Sequence, residues 1–181
     1  RPLALRTHPA PAIVTEAVAG GRRLDLEIFR RTFGVDDAAL EDYPGALPPE
    51  RVAATYSRRP PGPETIGPRE LAERLADLLA GLASARLELL DCHPGNILLA
   101  GEPGAWRLVL VDLAEARPAG PRALLRHLVK LEHFFEPLAR PAERMRVLAR
   151  LRQLLAGENV AVPDARTVSR ATAAYRHTRF Y

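Results

Sequence analysis

The stretch LLDCHPGNILL, residues 89–99, joins a short polar loop to the start of an apolar segment. Asp91 and Asn96 stand on either side of a Pro-Gly pair, which favours a tight reversal of the chain. Such a reversal would bring a carboxylate and an amide toward one cleft. Taken alone, the two residues are equally typical of an ordinary turn. Their interpretation therefore depends on the residues that follow.

Asp112 is the second polar feature, because it ends the apolar run LVLV at residues 108–111. The pattern predicts two short strands, over residues 96–99 and 108–113, joined by a hairpin. A carboxylate at the end of a buried strand is costly unless a cation meets it, and Mg²⁺ accepts carboxylate, amide and phosphate oxygens. We therefore expect Asn96 and Asp112 to bind metal, and Asp91 to act as a general base on an attacking hydroxyl.

The rest of the chain predicts an α+β fold that is mainly helical. Leucines recur at spacings of three and four after Pro68, which predicts a helix of about five turns. Shorter apolar patterns predict a helix after Asp25 and a buried strand in AIVTEAV, residues 12–18, that ends at two glycines. Three more helices are predicted over residues 122–135, 142–155 and 167–180.

A dense series of Pro and Gly over residues 43–68 predicts a long surface excursion between the first two helices. The chain has 181 residues and 47% apolar content, which suits a single domain over residues 1–181. The surface excursion would be an insertion into that domain.

Composition excludes several classes of function. The chain carries 26 basic and 22 acidic residues, but its few aromatic residues do not alternate with the basic ones, so we expect no nucleic-acid binding. Cys92 is the only cysteine, which excludes an internal disulfide and favours a packing role over that of a nucleophile. No apolar run approaches the roughly 20 residues that span a bilayer. These features predict a cytoplasmic protein.

The pattern D-x-x-x-x-N at residues 91–96, followed after a hairpin by Asp112, resembles the catalytic and metal-binding loops of the protein-kinase-like fold. AIVTEAVAGG resembles the fifth strand and hinge of that fold. The resemblance implies ATP and Mg²⁺ as cofactors, with the backbone of Glu16 and Val18 facing adenine. It implies a hinge strand and hinge over residues 10–21 and a C-terminal lobe over residues 22–181.

The sequences DCHPGNILL and VDLAEAR are more similar to those of small-molecule and lipid-sugar kinases than to those of protein kinases. It resembles the lipopolysaccharide kinase family, which phosphorylates Kdo or heptose of the inner core. This implies ATP and a sugar or glycolipid acceptor as partners, and peripheral contact with the inner face of the cytoplasmic membrane. Aminoglycoside phosphotransferase-like and ABC1-type atypical kinases share the H-P-G-N wording and stay open as alternatives.

Two departures from that pattern matter. Leu89 stands where the family usually has a histidine, which predicts the loss of a hydrogen bond that braces the loop. We expect His93 to pin the loop by a backbone hydrogen bond, with contact to the transferred phosphate as the alternative. Lys130 is the only lysine, and only about a dozen residues precede the hinge, so we expect these residues to lack most of the N-terminal lobe and its phosphate-binding Lys. We therefore expect little phosphotransfer from these residues alone, and a degenerate pseudokinase or interaction module is the alternative.

Overall fold

A computed structural model of the chain describes residues 2–6, 12–15, 18, 20–33, 65–136 and 138–179. The described part has five α-helices and small antiparallel sheets, so the predicted mixture of helix and strand is confirmed. The strands are β1 (Pro2–Arg6), β2 (Ala12–Thr15), β3 (Arg22–Arg23), β4 (Leu87–Leu89), β5 (Ile97–Ala100), β6 (Arg107–Leu110) and β7 (Ala116–Pro118). The helices are α1 (Leu24–Phe33), α2 (Pro68–Ser84), α3 (Ala123–Phe135), α4 (Pro141–Leu154) and α5 (Ala165–Arg179).

The helices form because their apolar residues recur on one face. In α2, Pro68 occupies the first turn, where its missing N–H is no loss, and Leu71, Leu75 and Leu79 are buried one turn apart. This face packs on α4, while α3 packs on α5. Each predicted helix boundary lies within one or two residues of the observed one, and the 17 residues of α2 agree with the five turns expected. None of the described helices is both long and apolar enough to span a bilayer.

Three antiparallel sheets complete the described part: β1 with β2, β4 with β7, and β3–β5–β6. The predicted hairpin is the β5–β6 pair, with Ile97 opposite Leu110 and Ala100 opposite Arg107. Gly101 begins its turn at φ +101°, and a Cβ there would lie 2.5 Å from the Ala105 carbonyl oxygen. Only glycine fits that position.

The second predicted strand is shorter and more exposed than the apolar run suggested. β6 ends at Leu110 instead of residue 113, and its residues are exposed or half-buried. Within the described residues β6 is the edge strand of its sheet, with β5 as its strand neighbour. Asp112 is therefore carried by the loop after the strand.

The first predicted strand and the Pro-rich excursion lie partly outside the described residues. Within residues 12–18, β2 covers Ala12–Thr15. Residues 34–64, which hold most of the excursion, are outside the described part. At its end Ile66 is fully buried and Pro68 already belongs to α2, so this end of the excursion is anchored in the core.

Candidate active site

The loop that carries Asp91 and the loop that carries Asp112 are brought together by the β4–β7 pair. Leu89 at the end of β4 lies opposite Ala116 at the start of β7. Beyond this pair, the Leu90 N–H donates to the Glu115 carbonyl at 3.5 Å. Asp91 follows β4 and Asp112 precedes β7, so both aspartates belong to segments at the same end of this sheet.

The β5–β6 hairpin brings the backbone of Asn96 to the same place. Ile97 and Leu110 form the last pair of the hairpin, and beyond them the Val111 N–H donates to the Asn96 carbonyl at 3.0 Å. Asp112 is the next residue. Antiparallel pairing thus makes neighbours of two residues that stand 16 positions apart in the sequence.

The side chain of Asn96 is oriented by Asp91. Its Nδ2 donates to the Asp91 carbonyl and to Asp91 Oδ2, both at 3.1 Å. Because these two bonds use the amide nitrogen, the amide oxygen is the atom left to serve a cation. An amide oxygen and carboxylates are ligands that Mg²⁺ accepts. The donor atoms of this loop therefore fit the metal that the sequence predicted.

His93 pins the loop as predicted. Its Nδ1 accepts a hydrogen bond from the Gly95 N–H at 3.0 Å, so a neutral ring carries its proton on Nε2. That Nε2 lies 3.4 Å from Asp91 Oδ2. A Cβ added to Gly95 would lie 2.7 Å from His93 Cε1, so glycine allows the ring its position. The imidazole links the backbone turn to the carboxylate.

Asp112 has an unusual backbone conformation. Its φ is +56°, in the left-handed region where a residue with a Cβ is strained. Its side chain is exposed, and the Ala116 N–H donates to the Leu113 carbonyl at 3.0 Å to close the turn that follows. Strain of this kind is concentrated at functional sites. Arg86, outside the site, shares this conformation at φ +53°, and the metal-binding role of Asp112 stays a prediction.

On the hinge side the structure describes Val18 but not Glu16. The Val18 carbonyl accepts the Gly21 N–H at 3.3 Å, and Gly20 adopts φ +65°, so the two glycines form a tight turn. A Cβ added to Gly21 would lie 3.2 Å from Leu98 Cδ1 in β5. The backbone after Val18 therefore passes directly over β5. The adenine contacts expected of Glu16 and Val18 stay predictions.

Leu98 is a residue that the sequence analysis did not select. It is half-buried, whereas Ile97 and Leu99 on either side are fully buried. Alternation along the strand turns Leu98 away from the core, toward Val18 and Gly21. The signal in the sequence was its place two residues after Asn96 on a short strand. Leu98 supplies an apolar surface below the hinge turn.

The remaining candidates behave as packing residues. Burial raises the pKa of the Cys92 thiol to about 11, so it is protonated at neutral pH and a poor nucleophile. Trp106 is buried in the core, with the Arg22 guanidinium 5.4 Å from its ring centroid. Within the described ranges no three His, Cys, Asp or Glu side chains cluster as a metal site. A magnesium site of one carboxylate and one amide differs from such a cluster, because Mg²⁺ keeps several waters.

Below the loop, β4 is held by α3. Glu88 is buried and accepts hydrogen bonds from Arg126 and Arg117; the Arg126 bonds above all hold its pKa at about 2, against the opposing effect of burial. The next residue, Leu89, donates its N–H to His127 Nε2 at 3.0 Å. The backbone of Leu89 is thus tied to α3, while the loss of a side-chain brace at this position stays a prediction.

No protein-family model and no curated protein sequence matches this chain. Among solved structures, the chain is similar to WaaP in complex with acyl carrier protein, with a TM-score of 0.55. The chain has a WaaP-like fold. The match covers 98% of this chain and 67% of that chain at 19% identity, so the likeness concerns the fold. The assignment of this chain to the hinge and C-terminal lobe of a protein-kinase-like fold stays a prediction.

Proposed function

We propose that this chain is the hinge and C-terminal lobe of a kinase that transfers a phosphoryl group from ATP to a sugar hydroxyl. The acceptor is Kdo or heptose of the lipopolysaccharide inner core, reached at the inner face of the cytoplasmic membrane. Two independent lines support this. The motifs resemble the lipopolysaccharide kinase family, and the fold resembles WaaP, a kinase of the lipopolysaccharide core.

One observation carries the proposal: the amide of Asn96 is hydrogen-bonded to Asp91, while its backbone is bonded to the residue before Asp112. A turn motif accounts for the first of these contacts but not for the second. The second contact requires the hairpin register that brings Asp112 beside the loop. Asp91, Asn96 and Asp112 therefore belong to segments that meet where the β4–β7 and β5–β6 pairs end.

In the proposed reaction Asp91 accepts or orients the proton of the acceptor hydroxyl. Asn96 and Asp112 would hold Mg²⁺, which when bound neutralises negative charge on the phosphate oxygens. The carbonyl of Glu16 and the N–H of Val18 would bind the adenine edge. Leu98 would support the face of the ring from below. Positioning and charge neutralisation supply most of the catalysis in this class of reaction.

Binding of ATP and Mg²⁺ tests the proposal without knowledge of the acceptor. Thermal unfolding of the full-length protein is followed with ATP and Mg²⁺, together and separately, for the parent, Asp112→Asn and Glu102→Gln. Glu102 is an exposed acid at the far end of the same hairpin, so its variant controls for loss of charge. A ligand at 100 times its Kd stabilises the native state by about 2.7 kcal/mol. We expect a Mg²⁺-dependent shift in the parent and control that Asp112→Asn loses.

A parent without a Mg²⁺-dependent shift, or an Asp112→Asn variant that keeps it whole, would contradict the metal site. A pseudokinase is the competing interpretation, favoured by Leu89 at the position where the family usually has a histidine. It predicts that phosphotransfer is absent even where the nucleotide binds. ADP release with lipopolysaccharide core sugars and with an aminoglycoside as acceptors separates a sugar kinase, an aminoglycoside phosphotransferase-like enzyme and a pseudokinase.

A further inference from the structure

His127 lies in the first half of α3, and its side chain is 1% exposed. Its Nε2 accepts the Leu89 N–H at 3.0 Å across 38 positions of sequence. Leu89 is the last residue of β4 and stands two positions before Asp91. The bond therefore joins a rigid helix to the strand end from which the candidate catalytic loop departs.

The chemical state of the ring suits this role. An imidazole that accepts at Nε2 is neutral and carries its proton on Nδ1. Burial lowers the pKa of His127 to about 4; Lys130 and Arg126 act in the same direction, while the carboxylate of Glu88 acts against them. The ring is thus an acceptor throughout the neutral range. The ring therefore stays able to accept the Leu89 N–H at physiological pH.

The neighbouring residue of α3 makes a second attachment to the same strand. Arg126 Nη2 donates to Glu88 Oε2 at 2.7 Å, and Arg126 Nε donates to Glu88 Oε1. Two consecutive residues of α3 therefore hold two consecutive residues of β4. A strand bonded at adjacent positions, one through a side chain and one through the backbone, can neither slide nor rotate freely against the helix.

We propose that His127 is a positioning residue for Asp91, which it sets relative to Asn96 through the backbone of Leu89. The inference rests on the proposed kinase function. In this chain the support for the loop comes from a helix 38 positions away and enters through a main-chain amide. The side chain at position 89 takes no part in this bond, and Leu89 packs in the hydrophobic core.

Three variants of the full-length protein test the proposal. His127→Leu removes the acceptor, His127→Gln retains a neutral acceptor, and His133→Leu is the control. His133 lies on the same helix and is half-buried, but its Nδ1 accepts from Arg176 of α5 instead of from β4. Hydrogen exchange of the amides of Leu89 and Asn96 reports on the brace and the loop. The kcat and KM of phosphotransfer report on catalysis.

We expect His127→Leu to speed exchange at Leu89 and Asn96 at least tenfold and to lower kcat at least tenfold, with KM for ATP changed less than threefold. In His127→Gln the exchange rates and kcat should return most of the way to those of the parent. In His133→Leu the exchange rates and kcat should each change by less than twofold. A purely structural role would instead affect kcat only through the fraction unfolded. Faster exchange at Leu89 with kcat unchanged would overturn the proposal.

Failure of the proposed function has a different signature. A parent that binds no ATP and phosphorylates no acceptor refutes the kinase assignment directly. Hydrogen exchange at Leu89 and Asn96 then tests the positioning role of His127 by itself, because this measurement does not require an active enzyme. Exchange at Asn96 in His127→Leu equal to that in the parent would overturn it, and faster exchange that His127→Gln reverses would support it.

Discussion

Replacement of Glu88 by Gln tests whether the ion cluster below the candidate loop stabilises the fold. Hydrogen bonds from Arg126 and Arg117 lower the pKa of Glu88 from 4.5 to about 2. At about 1.4 kcal/mol per pKa unit, this shift corresponds to about 3 kcal/mol of stability at neutral pH. The side chains of the two arginines are 43% and 50% exposed, so solvent screens part of the interaction. We therefore expect Glu88→Gln to lose about 2 kcal/mol at pH 7.

The pH dependence makes this prediction specific. The pKa of Glu88 is lower in the folded state than in the unfolded state, so its contribution is complete above pH 4.5 and is lost as the pH falls through 2. Urea unfolding is measured at pH 7, 4.5, 3 and 2. The free energy of unfolding should decline toward pH 2 in the parent, and this decline should be smaller in Glu88→Gln. Glu102→Gln, at an exposed hairpin position, should follow the parent. The reasoning would be refuted if the free energy of unfolding of Glu88→Gln lay within about 0.5 kcal/mol of the parent's at pH 7 and declined equally toward pH 2.

Three further predictions concern the loop and its supports. The pKa of His127 falls from 6.5 to about 4 on folding, so the parent should lose up to about 3 kcal/mol as the pH drops from 6.5 to 4, and urea unfolding of His127→Gln should lack this loss. Gly95→Ala should displace the His93 ring and lower the free energy of unfolding by about 1 kcal/mol. In contrast, the methyl group added by Gly81→Ala in α2 meets no other atom, so this variant should have a higher melting temperature. Asp112→Gly should relieve backbone strain and raise the free energy of unfolding by up to about 1 kcal/mol, measured in urea. The same variant should lose the Mg²⁺-dependent thermal shift. A less stable variant that keeps this shift would contradict both the strain and the metal-binding role of Asp112.

The helices could be predicted because their signal is local. Leucines one turn apart after Pro68 predict α2, and similar patterns predict the helices downstream, since burial of one face is the main reason that a helix forms. The turn between Asp91 and Asn96 is local in the same sense. Pro and Gly restrict that backbone whatever surrounds it, and the expected pin by His93 spans only two residues.

The strand ends could not be predicted because they depend on partners. The apolar run before Asp112 reads as a buried strand to residue 113, but pairing with β5 ends at Leu110. The residues of this edge strand are exposed or half-buried. Leu98 was missed for a related reason: its role depends on the backbone that passes over it near Gly21.

The amino-acid sequence by itself determined the helices, the reversing loop and the three residue types suited to magnesium and a proton acceptor. Each depends on neighbours within a few positions. Only the tertiary structure decided that Leu89 is braced by His127, that Arg126 neutralises Glu88 and that Asp112 has a left-handed backbone. The two bonds join residues 38 positions apart, and such partners are selected by the packing of α3 against β4, which no local pattern encodes.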